Sequence, residues 1–176
     1  MIFGCILLSA GYSSRFKSPK AIAKLRNGKV VIEHILETIL LSRIDQIVIV
    51  LGAESEKIEP FISSHPKIQI VYNQNYQLGQ TVSFQTGLHK LSNKVDAFFL
   101  MPVDVPLIKT QTLTFLMDSF AITKKKFEII LPTYNDRNGH PPLFNARLHD
   151  EFLALKSDVP LHTVIHSKIH QTKFLS

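Results

Sequence analysis

The sequence has very little cysteine, with the single residue Cys5 in a chain of 176 residues. Cys5 lies inside the apolar run "IFGCILL", so neither a disulfide framework nor a four-cysteine zinc site can form within one chain. We therefore expect a reducing, cytoplasmic location. The same run is too short to span a bilayer and follows no basic stretch, so we expect neither a signal peptide nor a membrane partner.

The sequence also lacks a basic stripe, although its formal net charge is +6 and its pI is near 9.5. The cations are dispersed except for Lys124, Lys125 and Lys126, and no aromatic residues alternate with them. Grooves that bind nucleic acid combine clustered cations with stacking aromatic side chains. We expect no nucleic-acid partner, and we interpret the lysine triplet as a solvated turn. The net charge favours a smaller phosphate-bearing partner.

Several short motifs are missing as well. The chain has no Walker A loop, no three-glycine dinucleotide fingerprint and no "HExxH" zinc motif. His162, His166 and His170 recur at intervals of four residues, but no carboxylate joins them at zinc-site spacing. Cys5 has no neighbouring cation in the sequence that would lower the pKa of its thiol, so it is a poor candidate for a nucleophile.

Apolar runs that do not alternate with polar residues recur along the chain, at "IFGCILL", "QIVIVLG", "AFFLM" and "FEIILP". Such runs are typical of parallel strands buried on both faces, and "IQIVY" is a further candidate strand. Helical patterns separate them, in "VVIEHILETILLSR" and over residues 54–64, 81–90, 110–120 and 149–155. The alternation predicts one α/β domain over residues 1–176, a three-layer αβα, Rossmann-like fold with a mostly parallel sheet. The last ten residues have no clear place in that sheet.

Ligands of such sheets bind beyond the carboxyl ends of the strands, and the first strand ends in "LLSAGYSSRFKSPK". Gly11 lets the chain turn so that peptide N–H groups face one point and form an anion-binding nest. Arg15 and Lys20 then add positive charge beside that nest. An ordinary strand-to-helix turn with exposed cations is the alternative interpretation.

A second loop, "YNQNYQLGQTVSFQTGL", spans residues 72–88 and is rich in amides and hydroxyls. These groups suit a neutral hydrogen-bonding partner such as a base or a ribose. Thr81 and Ser83 fall in the first turn of the predicted helix. Capping of that helix by Gln80 or Thr81 is the alternative interpretation.

Two further loops carry Asp104, in "FFLMPVDVPL", and His140, in "PTYNDRNGHPPLF". A carboxylate just past a buried strand is able to hold Mg²⁺ together with substrate phosphates and water. Asp104 lies too far upstream to cap the helix predicted to begin near Thr110. His140 is a candidate contact for an acceptor substrate, with a hydrogen bond to a backbone carbonyl as the alternative.

Together these four segments resemble the nucleotidyltransferases that activate the molybdenum cofactor, especially the molybdopterin cytidylyltransferase branch. The resemblance covers residues 2–166 in the family's order. The residues that match the motifs are Gly11, Ser13, Arg15 and Lys20, then Asn73, Gly79, Ser83 and Gly87, then Asp104, and finally Gly139, His140 and Pro141. The resemblance implies a sheet of the nucleotide-diphospho-sugar transferase (GT-A-like) kind.

The resemblance implies transfer of a nucleotidyl group from a nucleoside triphosphate, CTP or GTP with CTP favoured, to a phosphorylated, molybdopterin-type acceptor. It implies catalytic roles for Arg15, Lys20 and Asp104, with Asp104 as the Mg²⁺ ligand and Gly139 and His140 as acceptor contacts. The nucleotide-binding residues that it implies are Leu8, Ser9, Ala10, Gly11, Ser13, Lys20, Asn73, Gly79 and Ser83. A different phosphorylated acceptor and a nucleotide-binding module that has lost catalysis are the alternatives. We expect a monomer or a weak homodimer.

The sequence departs from the family pattern in three ways. Lys17 stands where the family has glycine, and Val103 and Val105 flank Asp104 where the cytidylyltransferase branch reads Gly-Asp-Gln-Pro. The family's closing segment, Asp-Ile-Asp-Thr-Pro, does not occur before the sequence ends at Ser176. We therefore expect one protein carboxylate, rather than two, at the Mg²⁺ site.

Overall fold

Four parallel strands form the first half of the sheet. In the computed structural model, which describes residues 1–11, 18–123, 126–135 and 137–175, β1 (Phe3–Ser9) lies at the centre. On one side of it lie β2 (Gln46–Leu51) and then β3 (Ile68–Tyr72), and on the other side lies β4 (Ala97–Pro102). Every residue of β1 is buried, which confirms the prediction of strands covered on both faces.

The second half of the sheet is mixed. It contains β5 (Ile129–Tyr134), the two-residue β6 (Arg137–Asn138), β7 (Leu143–Asn145) and β8 (Thr172–Leu175). β7 lies between β4 and β5 and is antiparallel to both, while β8 pairs with β5 in parallel. The expectation that the last ten residues have no place in the sheet is therefore wrong, because β8 pairs with an otherwise open side of β5.

Helices cover both faces of the sheet, so the predicted three-layer fold is confirmed. On one face the core is formed with α1 (Val31–Leu40), α2 (Ser55–Ile58) and α4 (Thr110–Ile122). On the other it is formed with α3 (Gln80–Leu88), α5 (His149–Leu153) and α6 (His162–Ser167). Successive side chains of β1 point to opposite faces of the sheet, so that Cys5 belongs to the first core and Ile6 to the second.

The helix predicted over residues 54–64 is much shorter than expected. Glu54 has a φ of 54°, in the left-handed region, so the helix begins after it, at Ser55. The chain then continues only as a 3₁₀ turn, Glu59–Phe61, in which Pro60 lacks the N–H that a longer α-helix requires. The short helix still contributes Ile58 to the core.

An aromatic cluster joins the two halves of the sheet. The rings of Phe144 and Phe152 lie 4.8 Å apart between centroids, and those of Phe84 and Phe152 lie 5.1 Å apart. Both pairs are in the edge-to-face arrangement that the ring quadrupoles favour. Phe84 belongs to α3 and Phe144 to β7, so the cluster fixes the reversed strand against the parallel half.

The chain order places a crevice between β1 and β4. The chain runs outward from β1 to β2 and β3 and then crosses to β4 on the other side of β1. The strand order therefore reverses next to β1, and ligands of such folds bind beyond the strand ends at such a point. None of the described helices has the length and apolar character needed to cross a membrane.

Gly87 allows α3 to approach the sheet closely. A Cβ atom there would lie 2.5 Å from Ile6 Cγ2 and 3.0 Å from Val50 Cγ2, both in buried strands. We expect Gly87→Ala to lower the free energy of unfolding by about 1–3 kcal/mol, because the crowded core has to shift. Urea unfolding measures this change.

Thr86→Ala is the matched control, because the Thr86 hydroxyl donates within its own helix, to Val82 O. We expect it to change the free energy of unfolding by no more than about 0.5 kcal/mol. Equal stability of Gly87→Ala and the parent protein would contradict the close approach.

Candidate active site

A cleft of about 440 Å³ opens at the carboxyl ends of β1 and β4. The residues predicted from sequence that line it are Leu8, Ser9, Ala10, Gly11, Lys20, Gly79, Ser83 and Asp104. They come from three separate stretches of the chain, which the topology brings together at one edge of the sheet.

Two backbone hydrogen bonds fix the loop that leaves β1. The Ala53 N–H donates to Ala10 O at 3.1 Å, and the Val103 N–H donates to Leu8 O at 3.0 Å. The end of β1 is thereby tied to the loop after β2 on one side and to the loop after β4 on the other. The predicted site residues Ser13 and Arg15, together with Lys17, lie outside the described residues, so their roles stay predictions.

Opposite charges face each other across this cleft. Lys20 Nζ lies 3.7 Å from Asp104 Oδ2, and the two side chains are 43% and 53% exposed. Because both side chains are this exposed, both groups are accessible to a charged ligand. An ion pair this exposed also contributes little to stability. Helix α4 begins at Thr110 with Lys109 as its N-cap residue, which confirms that Asp104 does not cap it.

The second loop begins helix α3 with a glycine. Gly79 is the N-cap residue and has a φ of 104°, a conformation that side-chain-bearing residues rarely adopt. The alternative of capping by Gln80 or Thr81 is wrong, because the N-cap residue is Gly79, which has no side chain to cap the helix. The Thr81 hydroxyl instead donates to Val159 O at 2.7 Å and ties α3 to the loop before α6.

Asn73 supports the cleft from below. Its side chain is buried, its Nδ2 donates to Ser83 Oγ at 3.0 Å, and its Oδ1 accepts from the Asn75 N–H at 2.9 Å. Ser83 Oγ in turn donates to Gly79 O at 3.1 Å. Since the Ser83 hydroxyl proton is already used, the oxygen offers a ligand only a lone pair. Asn73 is thus placed to hold the turn, and its predicted role in nucleotide binding stays a prediction.

Sequence reasoning missed other residues that line the cleft, among them Tyr76, Gln77, Gln80 and Ile58. Tyr76 and Gln77 lie in a 3₁₀ turn, Tyr76–Leu78, just before Gly79. The amide side chains between Asn73 and Gly79 in the sequence were a signal that this turn lines a polar cleft. No sequence signal indicated Ile58, because its position at the cleft depends on how the short α2 packs.

The two predicted acceptor residues do not line this cleft. His140 lines a second, more open cleft of about 410 Å³. The Gly139 N–H donates to Pro132 O at 2.7 Å and so closes the turn that presents His140. His140 reaches this edge of the sheet because β7 is antiparallel to β4, so the residues before β7 lie near the end of β4.

The remaining candidates lie away from the cleft. Cys5 is fully buried, and desolvation raises the pKa of its thiol, which agrees with its rejection as a nucleophile. The His162 and His166 rings lie 5.1 Å apart, and His170 follows in a 3₁₀ turn. Among the described residues, no group of three or more His, Cys, Asp or Glu side chains is placed to hold a metal ion.

The sequence is similar to a known family and to named proteins. Residues 5–172 match the model of the MobA-like NTP transferase domain. A relative from Bacillus cereus (strain G9842), named "Probable molybdenum cofactor guanylyltransferase", is 31% identical over 156 residues, which cover 85% of this chain and 72% of that protein.

Solved structures share the fold. Rv0371c from Mycobacterium tuberculosis H37Rv superposes with a TM-score of 0.84 at 22% identity, over 99% of this chain and 87% of that one. Its complex with manganese gives a TM-score of 0.79 at 22% identity, over 99% and 88%. The 4-diphosphocytidyl-2C-methyl-D-erythritol synthase from Anaerococcus prevotii gives 0.74 at 16% identity, over 99% and 86%.

Asn73→Ala tests the support of the turn. It removes the donor to the Ser83 hydroxyl and the acceptor of the Asn75 N–H, and we expect it to lower the free energy of unfolding by about 1–3 kcal/mol. Asn93→Ala, at an exposed asparagine, is the control and should change that free energy by no more than about 0.5 kcal/mol. Equal stability of the two variants in urea unfolding would contradict the supporting role.

Cys5 gives a prediction on pH. Above its ordinary pKa of 9.0 the unfolded thiol ionises while the buried one stays protonated, so the unfolded state binds fewer protons. This thiol therefore lowers the free energy of unfolding as the pH rises above 9, by up to about 1.4 kcal/mol per pH unit. Parallel denaturant titrations of the parent and Cys5→Ala should show a steeper decline for the parent. Identical slopes would contradict the effect of burial.

Proposed function

Because the chain belongs to the MobA-like NTP transferase domain family, we propose that it moves a nucleotidyl group from a nucleoside triphosphate to a molybdopterin-type acceptor. The chain is a nucleotidyltransferase of that family, and the donor base, the acceptor and the metal are the proposed parts. The proposed reaction releases pyrophosphate. One observation carries it: a cation and a carboxylate, Lys20 and Asp104, face one cleft at the crevice between β1 and β4.

Lys20 suits the triphosphate end of the cleft. The acceptor's phosphate oxygen forms a bond to the α-phosphorus, and the bond from that phosphorus to the bridging oxygen of the β-phosphate breaks. Negative charge then builds up on the departing pyrophosphate, where the Lys20 ammonium group offsets it. The loop through Gly11 lies beside Lys20 in the same cleft and suits the remaining phosphate oxygens. The reaction needs no covalent enzyme intermediate.

Asp104 fits a divalent metal ion of the Mg²⁺ kind. Its carboxylate offers hard oxygen donors and is half exposed at the cleft, so nucleotide phosphates and water are able to complete the ligand set. When bound, such an ion would supply positive charge at the α-phosphate. Asp104 would hold it through the carboxylate, and Lys20 would then turn towards the phosphates. The manganese complex of Rv0371c supports the choice of a divalent ion.

The chemistry of the lining residues supports CTP as the donor. Among the described residues that line the cleft, Asp104 is the only carboxylate, whereas Gln77, Gln80 and Ser83 offer amide and hydroxyl groups. Guanine presents adjacent N–H donors that a carboxylate reads best, while cytosine presents acceptors and a donor that amides match. GTP is the competing donor, since the Bacillus cereus relative is named a guanylyltransferase.

Asp104→Asn tests the proposal. Loss of the carboxylate charge should lower kcat/KM by at least about 100-fold, because a group that stabilises developing charge is removed. The assay follows pyrophosphate release from CTP and, separately, from GTP, with molybdopterin and Mg²⁺ present.

Asp118→Asn is the matched control. Asp118 is also about half exposed and paired with a cation, Arg43, but it lies on α4 away from the cleft. Its loss should leave kcat/KM within about twofold. Absence of turnover by the parent with both nucleotides would refute the acceptor, and an active Asp104→Asn variant would refute the role of Asp104.

A further inference from the structure

Leu51, Gly52 and Ala53, at the end of β2, connect two loops of the main cleft, the one that opens at the carboxyl ends of β1 and β4. β2 lies between β1 and β3, so its end faces the loops that follow both of these strands. The Asn73 N–H, just past β3, donates to Leu51 O at 2.8 Å, and the Ala53 N–H donates to Ala10 O at 3.1 Å. The residue before Gly52 thus holds one loop, and the residue after it holds the other.

Gly52 leaves room for these two loops to come close together. A Cβ atom there would lie 2.7 Å from Ala10 O, 2.9 Å from Ala10 Cβ and 2.8 Å from Tyr76 Cβ, whereas ordinary contacts of a Cβ atom begin at 3.4 Å. The glycines with a positive φ are Gly28 and Gly79, so the backbone conformation at Gly52 does not itself require glycine. The space does, because a side chain here would push both loops away.

The two residues that Gly52 contacts both line the main cleft. Ala10 belongs to the loop after β1, and Tyr76 begins the 3₁₀ turn Tyr76–Leu78. Ile58 lines the cleft as well, and it belongs to α2, the helix that follows this bend of the chain. Gly52 is not among the described residues that line the cleft. The separation of the two loops therefore depends on a residue that lies behind the cleft.

Gly4 shows how a crowded glycine differs when only a side chain surrounds it. The three atoms nearest to a Cβ at Gly4 all belong to the Leu91 side chain, and the closest, Cδ1, lies at 2.6 Å. The end of a flexible leucine side chain is able to rotate away. At Gly52 the nearest atom is a backbone oxygen, which moves only if the loop moves. A methyl group at Gly52 therefore displaces the chain, whereas one at Gly4 displaces a side chain.

We infer that Gly52 is a positioning residue for nucleotide binding, which acts through Ala10 and Tyr76 and sets the separation of their two loops. A nucleoside triphosphate that lies in the main cleft contacts both loops, so its affinity depends on that separation. The inference rests on the proposed function for the identity of the ligand. It deepens that function, because it names a residue outside the cleft that determines how tightly the cleft binds.

Gly52→Ala tests the inference by calorimetric titration of CTP and, separately, GTP into the full chain, with Mg²⁺ and without an acceptor. We expect the Kd for the nucleotide that the parent binds to rise at least about tenfold, because small displacements of binding groups are costly. Urea unfolding checks that the variant is folded. A loss of stability alone leaves the Kd unchanged as long as nearly every molecule is folded. An unchanged Kd in the folded variant would overturn the inference.

Gly4→Ala is the matched control and should leave the nucleotide Kd within about twofold, because its new methyl group meets only the Leu91 side chain. An equal rise in the Kd of Gly4→Ala would overturn the inference.

The Ala10→Gly background provides a second comparison. It removes the Ala10 Cβ, one of the three close contacts, so Gly52→Ala should raise the Kd there by a smaller factor than in the parent. This comparison replaces the first one if Gly52→Ala alone does not fold. Since the contacts with Ala10 O and Tyr76 Cβ remain, some rise is still expected. Equal nucleotide affinity of Ala10→Gly and the double variant would contradict the positioning role.

The binding measurement also separates this inference from the proposed function. Nucleotide binding that Gly52→Ala weakens supports the inference, even where the parent shows no turnover with molybdopterin and the proposed acceptor fails. Turnover by the parent together with an unchanged Kd in Gly52→Ala would overturn the inference alone. A parent that binds neither CTP nor GTP would overturn both.

Discussion

The site depends on the parallel pairing of β1 with both of its neighbours. Gly4–Ser9 pair with Gln46–Leu51, and Phe3–Leu8 pair with Ala97–Pro102, so three strands end at the same level. Backbone hydrogen bonds from Ala53 and Val103 to the end of β1 then continue this pairing into the loops after β2 and β4. These backbone bonds give each loop a fixed position relative to the end of β1. The cleft is thus a property of the backbone first, and the charged side chains are placed on it.

Much of this was predictable because the signals were local. Uninterrupted apolar runs indicated the parallel strands, and the position of Asp104 just past one of them indicated its place at the strand ends. Gly79 was identified through a motif, and the structure supplies the reason, a φ of 104° at the start of α3. The same reasoning placed Lys20 and Asp104 in loops at the ends of strands, and the structure brings both to one cleft.

The features that escaped prediction depend on contacts distant in sequence. β8 has too few apolar residues to signal a strand, and it forms because β5 offers a free edge. Nothing in the sequence indicated that Asn73 is buried beside Ser83 and supports the turn. The cleft that holds His140 was not predictable either, because it requires the reversed direction of β7, which is only three residues long.

The reversal of β7 also means that two different stretches of the chain build the two clefts. The cleft with Lys20 and Asp104 is built from residues up to 104, whereas the cleft with His140 is built from residues 105 onwards. His140 lies in the loop between β6 and β7. Because β7 is antiparallel to β4, this loop is able to change in length without altering the order of the parallel strands. The loop that holds His140 is therefore able to vary while the cleft with Lys20 and Asp104 keeps its geometry.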